Sequence, residues 1–258
     1  MKGGKGARGY TIVEVMMFLA ITGVLFVVAM VAISGQQAKA DFQQGVRDFQ
    51  SRMDDFINDV PTGYFPQTDA TCSSSAGGVP SITPANSGNQ GTNSDCIFLG
   101  KVLHFTDDDS EVKVYSVVGN RLTTQGNEVD GFDNAKPTTS SVLTETYTTK
   151  GGVKPSDFKI DPTGTNYNAI GFFNKFAGSA GGGDSQASGL TVIPLSMDTG
   201  NFVNKIEAID DTVAATQANK LVVCIKQSDS ARAAWVLTPK ATGAVSELII
   251  GQAGSEGC

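Results

Sequence analysis

The hydrophobic pattern changes character twice along this chain. Positions 15–33 are an apolar run of 19 residues without a charge. As a helix the run spans about 28 Å, close to the hydrocarbon thickness of a bilayer. From Phe42 the pattern becomes a stripe: Phe42, Val46, Phe49, Met53, Phe56 and Val60 are spaced four, three, four, three and four apart, with Asp, Gln and Arg between them. That is one face of an amphipathic helix, and Pro61 ends the pattern. The two segments read as a single helix of about 50 residues, roughly 75 Å long. Residues 10–35 are apolar all round, and residues 36–60 carry one stripe to lie on a sheet. Ser34-Gly35 is a Gly/Ser pair of the kind that bends helices, so a bend or local loosening is expected there, with Gly23 a second flexible point.

Beyond the helix the pattern turns to period two. Residues 61–95 are rich in Gly, Ser, Thr, Pro and Asn and read as a long surface loop. Segments 101–105 and 111–118 flank the turn-like cluster Asp107-Asp108-Asp109-Ser110 and predict a hairpin. Further strands are expected at 142–148, 190–195, 221–225, 233–238 and 245–250. Phe202, Ile206, Ile209 and Val213 predict a second helix over 201–217. A long helix followed by mostly antiparallel strands gives an α+β class, with a globular head over residues 61–258.

Charge and cysteine content narrow the setting. The 258-residue chain carries −7, and −10 once Lys2, Lys5 and Arg8 are removed, so it lacks the basic footprint of a nucleic-acid binder. Four cysteines and an export-like N-terminus imply two disulfides with three possible connectivities. Sequence proximity favours Cys72–Cys96, which staples the polar loop, and Cys224–Cys258, which pins the C-terminus to a central strand. A disulfide around a loop the size of the first is worth roughly 3 kcal/mol.

Glu14 is the anomaly: a carboxylate beside an apolar run costs about 2.5–3.5 kcal/mol to insert, so it is expected to have a partner. It belongs to a recognisable group of residues. The basic leader ends at Gly9, followed by Tyr10, Thr11-Ile12-Val13, Glu14 and the apolar run with Gly23. This stretch resembles the N-terminus of type IV pilins and the type II secretion pseudopilins, over about the first thirty residues. The resemblance implies that residues 1–9 are a leader cut between Gly9 and Tyr10 by a prepilin peptidase, which then N-methylates Tyr10. It further implies a pilin-like fold and a filament core built from residues 10–35. In that core Glu14 of one copy pairs with the Tyr10 amine of another. Implied partners are copies of the chain or other pilins, the peptidase and an inner-membrane assembly platform. The implied location is the cytoplasmic membrane, N-terminus inside, before assembly and the cell surface afterwards. Adhesion, twitching motility and DNA uptake are the implied roles. One departure stands out: many family members carry a proline about twenty residues into the mature helix, and here the sequence is Ala29-Met30-Val31-Ala32.

Rival readings use the same residues. A minor pilin or pseudopilin shares the motif, and the large head favours it. Ala38-Lys39-Ala40 resembles a secretory cleavage site, which would release a soluble binding protein starting at Asp41. A plain anchored binding protein explains the span and leaves Gly9, Tyr10 and Glu14 as coincidences.

The remaining chemistry is sparse. Asp107, Asp108, Asp109 and Glu111 are candidate calcium ligands, but the cluster lacks the spacing and glycine of an EF-hand, and a solvated hairpin tip explains it. Gly181-Gly182-Gly183 has no Gly-Lys-Ser/Thr after it and reads as a flexible loop. His104 is the only histidine and has no triad around it; Trp235 sits among apolar residues and reads as core. No enzymatic constellation, metal site or cofactor is expected.

Overall fold

The computed structural model describes residues 10–63, 70–74, 77–84, 95–106, 110–161, 166–176, 190–198, 200–214, 220–227, 230–240 and 243–251. Its longest element is α1, Ile12–Thr62, 51 residues in one continuous helix. Helical backbone runs unbroken through Ser34 and Gly35, so the expected loosening produces no interruption there. The helix also runs two residues past its expected end. Pro61 sits in the last turn and Gly63, at φ 65°, closes the helix in the left-handed conformation, its N–H donating to the carbonyls of Asp59 and Val60.

The strands form three antiparallel sheets among the described residues. A small ribbon pairs β1 (Ala70–Ser73) with β2 (Ser81–Pro84). A five-stranded sheet has the order β5-β4-β3-β8-β9, built from β3 (Cys96–Phe105), β4 (Glu111–Asn120), β5 (Thr144–Thr148), β8 (Ala169–Asn174) and β9 (Leu190–Leu195). A second five-stranded sheet has the order β12-β11-β10-β6-β7, from β6 (Lys154–Asp161), β7 (Asn166–Tyr167), β10 (Lys220–Gln227), β11 (Ser230–Lys240) and β12 (Gly243–Ile250).

The α1 stripe meets both five-stranded sheets. Phe42, Val46, Phe49, Met53, Phe56 and Val60 are all buried, in one cluster with Leu103, Val114 and Phe172 of one sheet and Leu221, Val223 and Trp235 of the other. Trp235 meets Phe49 edge-on at 6.2 Å between ring centres, an arrangement aromatic pairs favour. Gly45 lets the helix close on the turn before β6: a Cβ there would lie 2.3 Å from the Lys150 carbonyl oxygen.

Polar ties fix the same helix to the sheets. Lys101 on β3, 1% exposed, donates to Asp59 Oδ2 at 2.7 Å with its ammonium 5.1 Å from the centre of the Phe56 ring. A buried ammonium is tolerated only with such a counter-charge. Asn174 Nδ2 donates to the Val60 carbonyl at 2.8 Å, satisfying one of the open acceptors at the helix end. The Tyr147 hydroxyl donates to Asp48 Oδ2 at 2.9 Å.

The first five-stranded sheet is buried on both faces. Leu103 and Phe105 of β3 face α1, while Val102 and Tyr115 pack with Phe132, Phe173, Ile193 and Ile206 on the far side. That second face is covered by the short helices α2 (Phe132–Ala135), α3 (Phe202–Glu207) and α4 (Asp211–Ala214). The single helix expected over 201–217 is thus two short ones within the described residues. Asp210 explains the break: its Oδ1 accepts the Val213 N–H at 2.7 Å and caps α4, while Ala208 closes α3 on the carbonyls of Asn204 and Ile206.

Removing the charge partner of Lys101 tests this junction. Asp59→Ala is expected to destabilise the full-length protein in detergent by about 3–5 kcal/mol in urea unfolding, because it strands a buried ammonium. Pairing it with Lys101→Met should recover most of the loss. Tyr147 gives a pH signature. Burial first, then its hydrogen bond to Asp48 and that carboxylate's charge, push its hydroxyl well above the usual tyrosine range. The unfolded chain ionises Tyr147 near pH 10 while the folded chain keeps it neutral. Its contribution is therefore whole below pH 10 and lost as pH rises further. Tyr147→Phe should flatten that alkaline decline in urea midpoints measured from pH 8 to 11.

Candidate functional site: the exposed half of the long helix

The residues singled out for function sit at the free end of α1. Thr11 is the N-cap, and its Oγ1 accepts the Glu14 N–H at 3.3 Å. Glu14 lies in the first helical turn, where the helix dipole favours a negative charge. Its side chain is exposed, one turn beyond Tyr10, which is 81% exposed. Gly9 and the rest of the leader lie outside the described residues.

From Ile12 to Val31 the helix is exposed, with Thr22 half-buried. Sixteen large apolar side chains between Tyr10 and Val31 are exposed, none below 47%. Full burial of a side chain of this size gains about 1.5–3 kcal/mol, so the uncovered half forgoes on the order of 25–50 kcal/mol in water. That exceeds the whole stability of an ordinary domain, about 5–15 kcal/mol. This helix is the one among the described residues that is long and apolar enough to cross a membrane. The Thr22 hydroxyl within the run is satisfied locally: its Oγ1 donates back to the carbonyls of Phe18 or Leu19, at 2.9 and 3.1 Å. Gly23 has open space on every side at the position of a Cβ.

Between the bare half and the head lies a polar neck. Residues 36–41 are exposed, and Phe42 is the first residue of the stripe to be buried. At the neck the Gln227 Nε2 donates to the Ala38 carbonyl at 3.4 Å, the long limit of a hydrogen bond. The small-x-small sequence Ala38-Lys39-Ala40 is continuous helix.

The other candidates fall elsewhere. Cys72 and Cys96 are joined, Cα to Cα 6.1 Å. Cys224, buried in β10, is also disulfide-bonded, and Cys258 lies outside the described residues. Asp107, Asp108, Asp109 and Gly181 to Gly183 lie outside them too; Glu111 opens β4. His104 is buried and stacks on Tyr115 at 6.3 Å. Trp235 is fully buried in the core against α1.

One carboxylate constellation was missed in the sequence. Asp211 Oδ1 accepts the Phe132 N–H at 2.7 Å, and Gly131 leaves room for that carboxylate, since a Cβ there would lie 2.5 Å from it. Asp133 stands beside it, its carboxyl raised by desolvation first and then by Asp211. A sequence separation of 79 between the partners left no local spacing to read. This constellation locks α2 to α4 and is structural; among the described residues no group of His, Cys, Asp and Glu is placed to hold a metal.

No family model, no curated protein and no solved structure matches this chain.

Proposed function

We propose that the chain is a structural subunit of a type IV pilus-like filament, cut between Gly9 and Tyr10 and assembled through the free half of α1. The observation that carries this reading is the division of one continuous helix. Its second half is buried by its stripe in the head, and its first half is apolar on every side and covered by nothing. A bilayer covers such a surface in the single subunit, and a bundle of like helices covers it in a filament. Moving between these two environments exchanges one apolar contact for another.

Glu14 gives the exchange its direction. In hydrocarbon an unpaired carboxylate near the helix start is costly, and a free amine at Tyr10 of a neighbouring copy neutralises it. Pairing then favours one axial register between helices. The basic leader before the span favours a cytoplasmic N-terminus, with the head on the outer side. The role is structural: the peptide bond that reacts at Gly9 is the substrate of a peptidase. Adhesion, motility or DNA uptake would be functions of the whole filament.

The runner-up, a minor or pseudopilin subunit, shares every feature above and is favoured by the size of the head, residues 61–258. A secreted binding protein cut after Ala40 would need cleavage within a continuous helix.

The test joins processing to assembly. Intact-mass and N-terminal peptide analysis of the native protein should find a chain starting at N-methylated Tyr10. Glu14→Ala should accumulate in the membrane at wild-type level, while the subunit in sheared surface filaments falls at least tenfold. A chain starting at Asp41, or unaltered filament yield in the variant, sinks the proposal. A wild-type chain that dominates sheared filaments is a major subunit, and one barely detected there is minor.

A further inference from the structure

The segment read from sequence as a structureless loop holds the β1–β2 ribbon, and the way this ribbon is attached is unusual. Among the described residues each of its strands pairs only with the other, and it shares no backbone ladder there with either large sheet. Its apolar side chains join a small cluster of their own: Ala70, Cys72 and Ile82 against Val118 and Leu143, apart from both main cores. Most of its other residues face solvent.

The ribbon meets the head along an open-sided apolar cleft. The cleft, about 110 Å³, is lined by Ala70, Cys72 and Ile82 on the ribbon side and by a floor of Ile97, Phe98, Val118 and Leu143 on the head side. A covalent and a polar tie help hold the ribbon there. One is Cys72–Cys96, which joins β1 to the first residue of β3. The other is Asn120 at the end of β4, 2% exposed, whose Nδ2 donates to the Gly78 carbonyl at 2.8 Å and whose Oδ1 accepts from Ser74 Oγ at 3.0 Å.

We propose that the β1–β2 ribbon is a redox-seated strap: the Cys72–Cys96 bond, more than packing, holds it over the apolar floor, and its reduction lifts the strap while the head stays folded. The head keeps both main cores when the strap leaves, because neither contains a ribbon residue. The floor residues Ile97, Phe98 and Val118 are bared by the movement. A thiol pair that closes only in an oxidising compartment would then report that the head has reached it. Opening requires a two-electron reductant: an external dithiol is oxidised to its disulfide as Cys72 and Cys96 take up two electrons and two protons. Closing runs the same exchange in reverse. This inference does not depend on filament assembly.

Hydrogen exchange read by mass spectrometry on the full-length protein in detergent tests it. In Cys72→Ser/Cys96→Ser, amides of 70–73 and 81–84 should exchange at least tenfold faster than in wild type, while 101–105, 169–173 and 221–225 keep their protection. Asn120→Ala, with the disulfide intact, should change ribbon exchange by less than threefold. Unchanged ribbon protection in the double variant means that packing seats the strap and overturns the proposal. Loss of protection throughout the head also overturns it, because the bond is then a staple for the whole domain. Should the double variant fail to accumulate, stepwise reduction and alkylation of the native protein decides. A species alkylated at Cys72 and Cys96 with a protected 101–105 upholds the strap, and global loss in every such species refutes it.

Discussion

A single helix in this protein must satisfy two solvents, and the rest of the structure follows from that demand. Residues 42–60 need one apolar face, because a sheet layer can cover only a stripe. Residues 12–31 have apolar faces all round and need an environment that surrounds them. A continuous backbone joins the halves, so the orientation of the head is tied directly to whatever covers the free end. The junction is built to hold that orientation. Lys101 and Asp59 fix the last turns, Asp48 and Tyr147 fix the middle, and the close approach of Gly45 to Lys150 fixes the entry.

The charge at this junction is a specific choice. A buried lysine gains little net stability from its carboxylate, since desolvation of both groups offsets most of the attraction. What the pair supplies is position: an ammonium sandwiched between Asp59 and the Phe56 ring has few other places to go. The apolar stripe alone tolerates rotation or sliding of the helix by one turn, because i and i+4 positions are chemically alike. A single buried ion pair removes the rotational freedom, since turning the helix would carry Asp59 away from Lys101 and set an apolar side chain against the ammonium, whereas a one-turn slide would exchange Asp59 for Asp55 or Gly63. Helix and sheet are glued by the stripe and registered by the charge.

Periodicity made much of this legible. All six stripe residues named from sequence are buried, and β9 falls on the expected residues, 190–195. Strands of the two hairpins were anticipated with short ends: pairing carries β10 and β11 into flanking polar residues, while β3 also takes in the apolar run Cys96-Ile97-Phe98-Leu99. The strands that went unread are those whose composition conceals them. Lys154–Asp161 alternates polar residues with only Phe158 and Ile160, which register beside Val223 and Leu221 of β10. Ala169–Asn174 is buried on both faces and so shows no alternation at all. The small ribbon was hidden by Ser, Thr and Pro in strands of four residues. At the free end of α1 the sequence was most informative about structure, because the apolar run that stands exposed there lies in one local stretch. The carboxylate lock between α2 and α4 was least so, because it is assembled across the fold.

The shape of the exposed surface constrains what can cover it. A one-sided partner, such as a second helix in a dimer, reaches a limited arc of a cylinder and leaves the others in water. With bulky residues on every side from Ile12 to Val31, a pairwise contact would leave most of the uncovered area as it was. Only a surrounding medium meets the demand: lipid on all sides, or several helices at once. These two media differ in what they offer Glu14. Lipid offers the carboxylate only the nearby interface, whereas a bundle of identical helices brings an equal number of amino termini to the same depth. On the free half of α1 the sole carboxylate, Glu14, sits in the first turn, and in the repeating array proposed above the next copy would supply its counter-charge.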